Sequence, residues 1–189
     1  MPEFSDFESF AKIPRLSREC VITEKIDGTN GQISIGPNGE FFVGSRNIWL
    51  LTPDNPYPAD NHGFVAWARE HKDELIVGLG IGRHYGEWWG MGIQRGYGLK
   101  EKRFSLFNTR RWGDDAVRPA CCHIVPMLYT GIFSTEAVDA ALASLRINGS
   151  FAAHNFAKAE GVVIYHKAAN ALFKKTFEKD EAPKGRPEA

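Results

Sequence analysis

The chain has 189 residues, 43% of them hydrophobic, 24% charged and 12% aromatic, the profile of one folded domain rather than of a disordered chain. Its 23 basic and 23 acidic residues balance, so no whole-molecule field draws it to nucleic acid or to a membrane surface, and any nucleic-acid contact must come from a local patch. Three cysteines, two of them adjacent at Cys121 and Cys122, make neither a disulfide framework nor the paired spacing of a zinc site.

The opening Met1-Pro2-Glu3-Phe4 lacks the basic and apolar regions of a signal peptide, and no apolar run reaches membrane-spanning length. The simplest expectation is a cytoplasmic protein with no membrane partner. Residues 1–19 read as a mixed lead-in with one short helix broken at Pro14. Strands are expected at 20–26, 31–36 and 40–45, with the turn Gly36-Pro37-Asn38-Gly39 between the last two. This pattern predicts an antiparallel meander with Lys25 at one corner and Gly44-Ser45-Arg46-Asn47 at another.

A proline-rich loop over 51–63 leads to a helix from Phe64 to Leu75, with Phe64, Trp67, Ala68, His71 and Leu75 on one face. Gly78, Gly80 and Gly82 should break it. Strands follow at 83–89 and 103–108, joined by the Gly-rich, basic loop Gly90 to Lys102, and another is expected at 121–129. Ser134 can cap a helix running to Ile147. Strands at 161–166 and 171–177 close the domain, taken as residues 1–180, and residues 181–189 read as a frayed charged tail. Short strands with interspersed helices indicate an α+β fold built on antiparallel sheets with flanking helices.

Several chemistries are excluded. No phosphate loop is present, Gly78-Leu79-Gly80-Ile81-Gly82 lacks the last glycine of a dinucleotide fingerprint, and no His-Glu-x-x-His pair occurs. The six histidines are scattered, which favours surface or core roles over ligation. What remains is polar residues at strand ends. Lys25 lies in Glu24-Lys25-Ile26-Asp27-Gly28-Thr29-Asn30-Gly31, Arg46 ends the third strand, and Glu87 sits among aromatics in Tyr85-Gly86-Glu87-Trp88-Trp89. Phe107 closes Arg103 to Asn108, Glu160 opens an apolar strand, and Lys174 and Lys175 interrupt the last one. Singly, each has a structural explanation. Together they supply an amine nucleophile, carboxylates, further cations and an aromatic platform, a set suited to moving a nucleotidyl group from a nucleoside triphosphate.

The order Lys-x-Asp-Gly, Arg, Glu, aromatic strand, Glu-Gly and lysine-bearing strand resembles the covalent nucleotidyltransferases, which include the ATP-dependent RNA and DNA ligases and the mRNA capping enzymes. Glu24-Lys25-Ile26-Asp27-Gly28-Thr29-Asn30 looks most like the first motif of the RNA ligases. The resemblance, over about residues 20 to 180, implies an ATP-grasp-like nucleotidyltransferase (adenylation) domain that uses ATP and Mg²⁺ (or Mn²⁺). It implies that Lys25 forms a lysyl-N-AMP phosphoramidate, that AMP passes to a 5′-phosphate on RNA, and that a 3′-hydroxyl then displaces it. On the same basis Glu24 and Asn30 belong to the nucleotide site, and Asp27 assists at the α-phosphate or metal. Arg46 contacts sugar and phosphate, Glu87 the ribose, Phe107 the adenine and Glu160 the metal. Lys174 neutralises the α-phosphate. The family pattern at that last position is Lys-x-Lys, whereas here Lys174 and Lys175 are neighbours. Adjacent strand residues face opposite ways, so one enters the pocket: Lys174 first, Lys175 as the fallback.

The expected partner is RNA ends. Residues 95–118 carry seven basic residues (Arg95, Lys100, Lys102, Arg103, Arg110, Arg111, Arg118) against three acidic ones (Glu101, Asp114, Asp115), net +4, with Tyr97 and Trp112 interleaved. Such a stretch suits a nucleic-acid surface or a solvated loop. The chain ends soon after the last motif, leaving open a minimal ligase, a missing C-terminal domain or a partner protein. The alternatives are a transferase with DNA or protein as acceptor, and a nucleotide- or RNA-binding module with weakened chemistry.

Overall fold

The computed structural model describes residues 7, 9–55, 59–178 and 180. Strand β1 (Glu19–Lys25) alternates inward and outward, with Cys20, Ile22 and Glu24 buried. It pairs antiparallel with β8 (Met127–Ile132) on one side and β9 (Gly161–His166) on the other, and β9 pairs with β10 (Ala171–Thr176), giving a four-stranded sheet ordered β10-β9-β1-β8. Helix α4 (Thr135–Asn148) covers one face, where Val138, Ala141 and Leu145 meet Cys20, Ile22, Val162 and Ile164. Ser134 caps this helix by accepting from the Ala137 N–H at 3.1 Å, as its sequence predicts.

The second sheet has six strands in the order β4-β3-β2-β5-β6-β7. They are β2 (Thr29–Ile35), β3 (Phe41–Gly44), β4 (Trp49–Leu51), β5 (Gly82–Gly90), β6 (Lys102–Leu106) and β7 (Cys122–Ile124). All neighbours are antiparallel except β6 and β7, which run parallel and are bridged by the short helix α3 (Thr109–Trp112). Helices α1 (Phe64–Glu70) and α2 (Lys72–Leu79) pack their apolar residues onto one face, burying Ile33, Val43, Trp88, Phe104 and Leu106. The opposite face carries Asn30, Gln32, Tyr85, Glu87 and Ser105, which the strand pairing sets side by side.

The expected meander is corrected by this topology. β1 and β2 do not pair; residues 26–28 carry the chain from one sheet to the other, so Lys25 ends one sheet instead of turning a hairpin. The strand expected at 121–129 is likewise two strands in different sheets, with Val125-Pro126 at the crossing. A proline has no N–H to give a ladder, and it ends the pairing there. The two crossings meet over a third cluster, Ile26, Trp89, Tyr97, Val125 and Ala153, and the Glu24 N–H donates to Pro126 O at 2.9 Å. The expected single helix over 64–75 is broken at His71 and runs on through Gly78 to Leu79. A Cβ on Gly78 would come within 2.6 Å of Pro119 Cγ, so close contact with the incoming β7 loop accounts for a glycine inside a helix.

Strand β4 and helix α3 are additions to the expected elements. Among the described residues before Glu19 there is no helix. Pro56, Tyr57, Pro58 and the tail 181–189 lie outside the described residues. No helix among those described is long and apolar enough to cross a membrane.

Candidate active site

The sheet crossing builds the site. Lys25 is the last residue of β1 and pairs with Gly161, the first of β9. Glu160 is therefore one residue beyond that pair, and its carboxylate Oε2 accepts from Lys25 Nζ at 2.6 Å. Its backbone is fixed by the Phe177 N–H donating to Glu160 O at 3.0 Å. Gly161 has φ +152, and a Cβ there would overlap the Lys175 carbonyl oxygen, which explains the glycine after Glu160.

Gly28 is needed for a different reason. A Cβ at this position would lie 2.5 Å from Trp88 O and 2.7 Å from Trp89 Cβ, because the crossing chain presses onto β5. That approach lets the Gly28 N–H donate to Glu87 Oε1 at 3.1 Å, while Asn30 Nδ2 donates to Glu87 Oε2, also at 3.1 Å. Asn30 Oδ1 in turn accepts from Arg46 Nε at 2.7 Å. Glu87, Asn30 and Arg46 thus form one continuous polar chain. Burial of Glu87, opposed by the Lys25 charge and the Gly28 N–H, pushes its carboxyl up to about 7.

Beyond Asn30 and Arg46 a cavity of about 180 Å³ opens on the sheet, lined also by Gln32, Ser45, Tyr85 and Phe107. Phe107 is 40% exposed, so it is a presented ring and not part of the core. Lys25 does not line this cavity. The Asn30–Glu87 bonds link its lining to Gly28 of the crossing that follows Lys25.

The last strand separates its two lysines. Lys175 pairs with Val162, which packs under α4, and its Nζ donates to Asp139 of α4 at 2.9 Å. Lys174 pairs with Val163, itself opposite Thr23, and so shares the face of Lys25. Strand alternation thus puts Lys174 on the site's face and turns Lys175 away.

Glu24 and Asp27 are also placed differently from the resemblance. The Glu24 side chain points to the α4 face, fully buried, where Oε1 accepts from Ser150 Oγ at 2.5 Å and Oε2 from the Phe151 and Ala152 N–H groups at 2.8 and 3.0 Å. Burial raises its pKa against the pull of these donors. Its side chain anchors the 150–153 segment and turns away from the face that carries Lys25. Asp27 Oδ2 accepts from Arg95 Nε at 2.9 Å, and its backbone N–H donates to Tyr97 Oη at 2.8 Å. Asp27, expected at the α-phosphate or metal, is ion-paired with Arg95 and holds the crossing through it.

Five of the seven basic residues of the stretch are engaged within the fold. Arg95 is committed to Asp27, Arg103 to Glu101, and Arg118 to Asp115 and two carbonyls. Arg111 donates to Leu79 O and Lys102 to His62 O. Tyr97 and Trp112, expected as stacking aromatics, are 2% and 4% exposed. Tyr97 is instead a support of the lysine crossing that sequence reasoning missed; burial pushes its phenol well above the ordinary value. Gly96 and Gly98, both at positive φ, are the one local sign that this loop folds sharply around an inserted ring.

The family model described as RNA ligase matches residues 18–176. The chain belongs to the RNA ligase family. Similar solved structures are those of an RNA ligase from Naegleria gruberi. The form with PPi is 20% identical with a TM-score of 0.60, over 85% of this chain and 50% of that one. A mutant with ATP and Mn is 19% identical with a TM-score of 0.62, over 86% and 51%. Another mutant, with AMP and Mn, is 19% identical with a TM-score of 0.60, over 85% and 50%. This likeness shows a shared α+β ligase fold, and the family chain spans about half the length of the ligase chains it matches. No curated protein matches it by sequence.

Proposed function

We propose that the chain is the adenylyltransferase part of an ATP-dependent RNA ligase, with Lys25 as the nucleophile that carries AMP. The observation that carries this reading is the convergence at one sheet crossing of Lys25 with Glu160, 2.6 Å apart, and of the linked Glu87, Asn30 and Arg46 beside an exposed aromatic. In the first step Lys25 Nζ attacks the α-phosphorus of ATP. An N–P bond forms, the bond from the α-phosphorus to the bridging oxygen breaks, and pyrophosphate leaves. Nζ donates to Glu160 Oε2, so attack requires that its lone pair be freed, and Oε2 is the acceptor at hand for the proton.

Arg46 and Lys174 meet phosphate charge, Phe107 and Tyr85 offer faces for the base, and Glu87 accepts from a ribose hydroxyl. A divalent cation fits the donor set at Glu160: a hard carboxylate whose Oε1 has no bonded partner among the described residues, enough for an ion that takes one or two carboxylates plus substrate phosphates. When bound, Mg²⁺ or Mn²⁺ supplies charge neutralisation on the triphosphate. Transfer of AMP to an RNA 5′-phosphate and sealing by a 3′-hydroxyl complete the proposed sequence, in line with the RNA ligase family and the ATP, AMP and PPi complexes of the Naegleria gruberi structures.

Intact-protein mass spectrometry after incubation with ATP and Mg²⁺ tests the first step. One AMP should be gained, mapped to Lys25, and Lys25→Met should gain none. An adduct that persists in Lys25→Met overturns the assignment. Sealing assays on RNA and DNA with 5′-phosphate and 3′-hydroxyl ends then distinguish the acceptor.

A further inference from the structure

We propose that His71, Glu74 and Cys121 form a binding site for a borderline-soft divalent metal ion, best matched by Zn²⁺, separate from the nucleotide site. One ligand atom from each of the three lies within 4.8 Å of the other two. The cluster sits on the helix-covered side of the six-stranded sheet, whereas Asn30 and Glu87 occupy the other side.

Two segments distant in sequence supply the donors. His71 is the junction between α1 and α2, Glu74 is in the first turn of α2, and Cys121 precedes β7. His71 has helix-breaking dihedrals, φ −98 and ψ 15, yet its ring makes no capping hydrogen bond. The ring packs against Trp67 at 5.3 Å and turns Nδ1 toward Glu74 Oε2, 3.7 Å away. The Cys121 N–H donates to Glu74 Oε1 at 2.8 Å, and Pro119 is held against Gly78 of α2. The loop that bears the thiol is therefore docked on the helix that bears the carboxylate.

The chemistry of the donors selects the ion. Thiolate, imidazole and one carboxylate suit Zn²⁺ and disfavour Mg²⁺ or Ca²⁺, which take oxygen ligands. Tetrahedral zinc, with bonds of about 2.0–2.3 Å, places its ligand atoms about 3.3–3.8 Å apart. The three donors must close by about 1 Å from their 4.8 Å envelope. The His71 and Glu74 side chains, 32% and 40% exposed, have the freedom to do so. Cys122 is turned into the core, its Sγ 4.0 Å from that of Cys121, so water takes the fourth position. Binding exchanges the Cys121 S–H for a sulfur–metal bond and releases the proton to solvent.

The test is titration of the full chain with Co²⁺ under reducing conditions, followed by the thiolate-to-cobalt charge-transfer band, and then by displacement with Zn²⁺. One equivalent should bind and be displaced. Cys121→Ser should abolish the band, and Glu74→Gln, which still accepts from the Cys121 N–H, should weaken affinity at least about tenfold. Formation of the ATP-dependent adduct should be unchanged in Cys121→Ser, which separates this proposal from the one for Lys25. A missing band in the wild type, or a band that survives Cys121→Ser, overturns it.

Discussion

Glu87 gives the sharpest test of the site's electrostatics. Its side chain is buried (8% exposed), and its carboxyl is pushed from the ordinary 4.5 to about 7, chiefly by burial. A carboxyl whose folded pKa is raised holds its proton more tightly in the folded state. Its contribution to stability is therefore greatest below the unfolded value and is lost as pH rises from 4.5 through about 7. At about 1.4 kcal/mol per tenfold, the full span is worth about 3 kcal/mol, of which about 2–3 kcal/mol falls between about pH 5 and about pH 8. Glu87→Gln removes the titration. It also breaks one hydrogen bond, because an amide can accept from the Gly28 N–H but then turns its NH₂ toward the Asn30 NH₂. That second loss does not depend on pH. Urea denaturation of both proteins at the two pH values separates the terms: the stability of wild type relative to Glu87→Gln should fall by about 2–3 kcal/mol toward the higher pH. Other titrating groups cancel in the comparison. A difference that is flat with pH would mean that Glu87 is an ordinary carboxylate, and the argument from burial would be refuted.

The two lysines of β10 should separate cleanly. Lys174→Ala should slow formation of the Lys25 adduct at least about tenfold, the scale of losing one charge-stabilising donor, while Lys175→Ala removes only an exposed pair with Asp139, worth about 0–1 kcal/mol, and should leave the rate near wild type. Quench-flow with α-phosphate-labelled ATP reads both; equal effects would remove the argument from strand alternation. Gly28→Ala places a methyl 2.5 Å from Trp88 O, so denaturation should show a loss of about 1–3 kcal/mol or more, accompanied by slower adduct formation. Wild-type stability in that variant would show that the crossing does not press on β5.

Local pattern was legible in the sequence wherever one residue's neighbours decide its state. Apolar runs marked β1 and β9, alternation marked β2, Ser134 marked the start of α4, and Gly36-Pro37-Asn38-Gly39 marked a turn. What alternation cannot say is which sheet a strand joins. Residues 20–36 read equally well as a hairpin, and Val125-Pro126 sits inside an apolar run that looks like one strand. The partners that decide the first case, β8, β9 and β5, lie between 47 and 146 residues away in the chain, and the second is decided by β6 and β1. The same distance hid the roles of Glu24 and Asp27. In sequence both are acids beside a lysine. Their actual partners, Ser150 and Arg95, are 126 and 68 residues off, and an apolar strand gives no local cue that its one inward carboxylate has three donors waiting.

The order of strand-end residues could nevertheless be read, because the crossing ties sequence to space. A chain that leaves one sheet at Lys25 and enters the next at Thr29 must bring the end of the first sheet to the start of the second. Gly161 and Glu160 reach Lys25 by pairing within the first sheet, and Glu87 reaches Gly28 and Asn30 by pairing within the second. Lys25, Glu160, Asn30 and Phe107 are therefore strand termini or their neighbours, while Glu87 and Lys174 are carried in by strand pairing, and only Gly28 is short enough to let the two sheets close on the lysine. A turn could have carried Lys25, Asp27 and Gly28 in the same order, but it would have supplied neither Glu160 from one sheet nor Glu87 from the other. The proposed chemistry belongs to the crossing and not to the four-residue motif, which is why Gly28→Ala should impair adduct formation without touching an ionisable group.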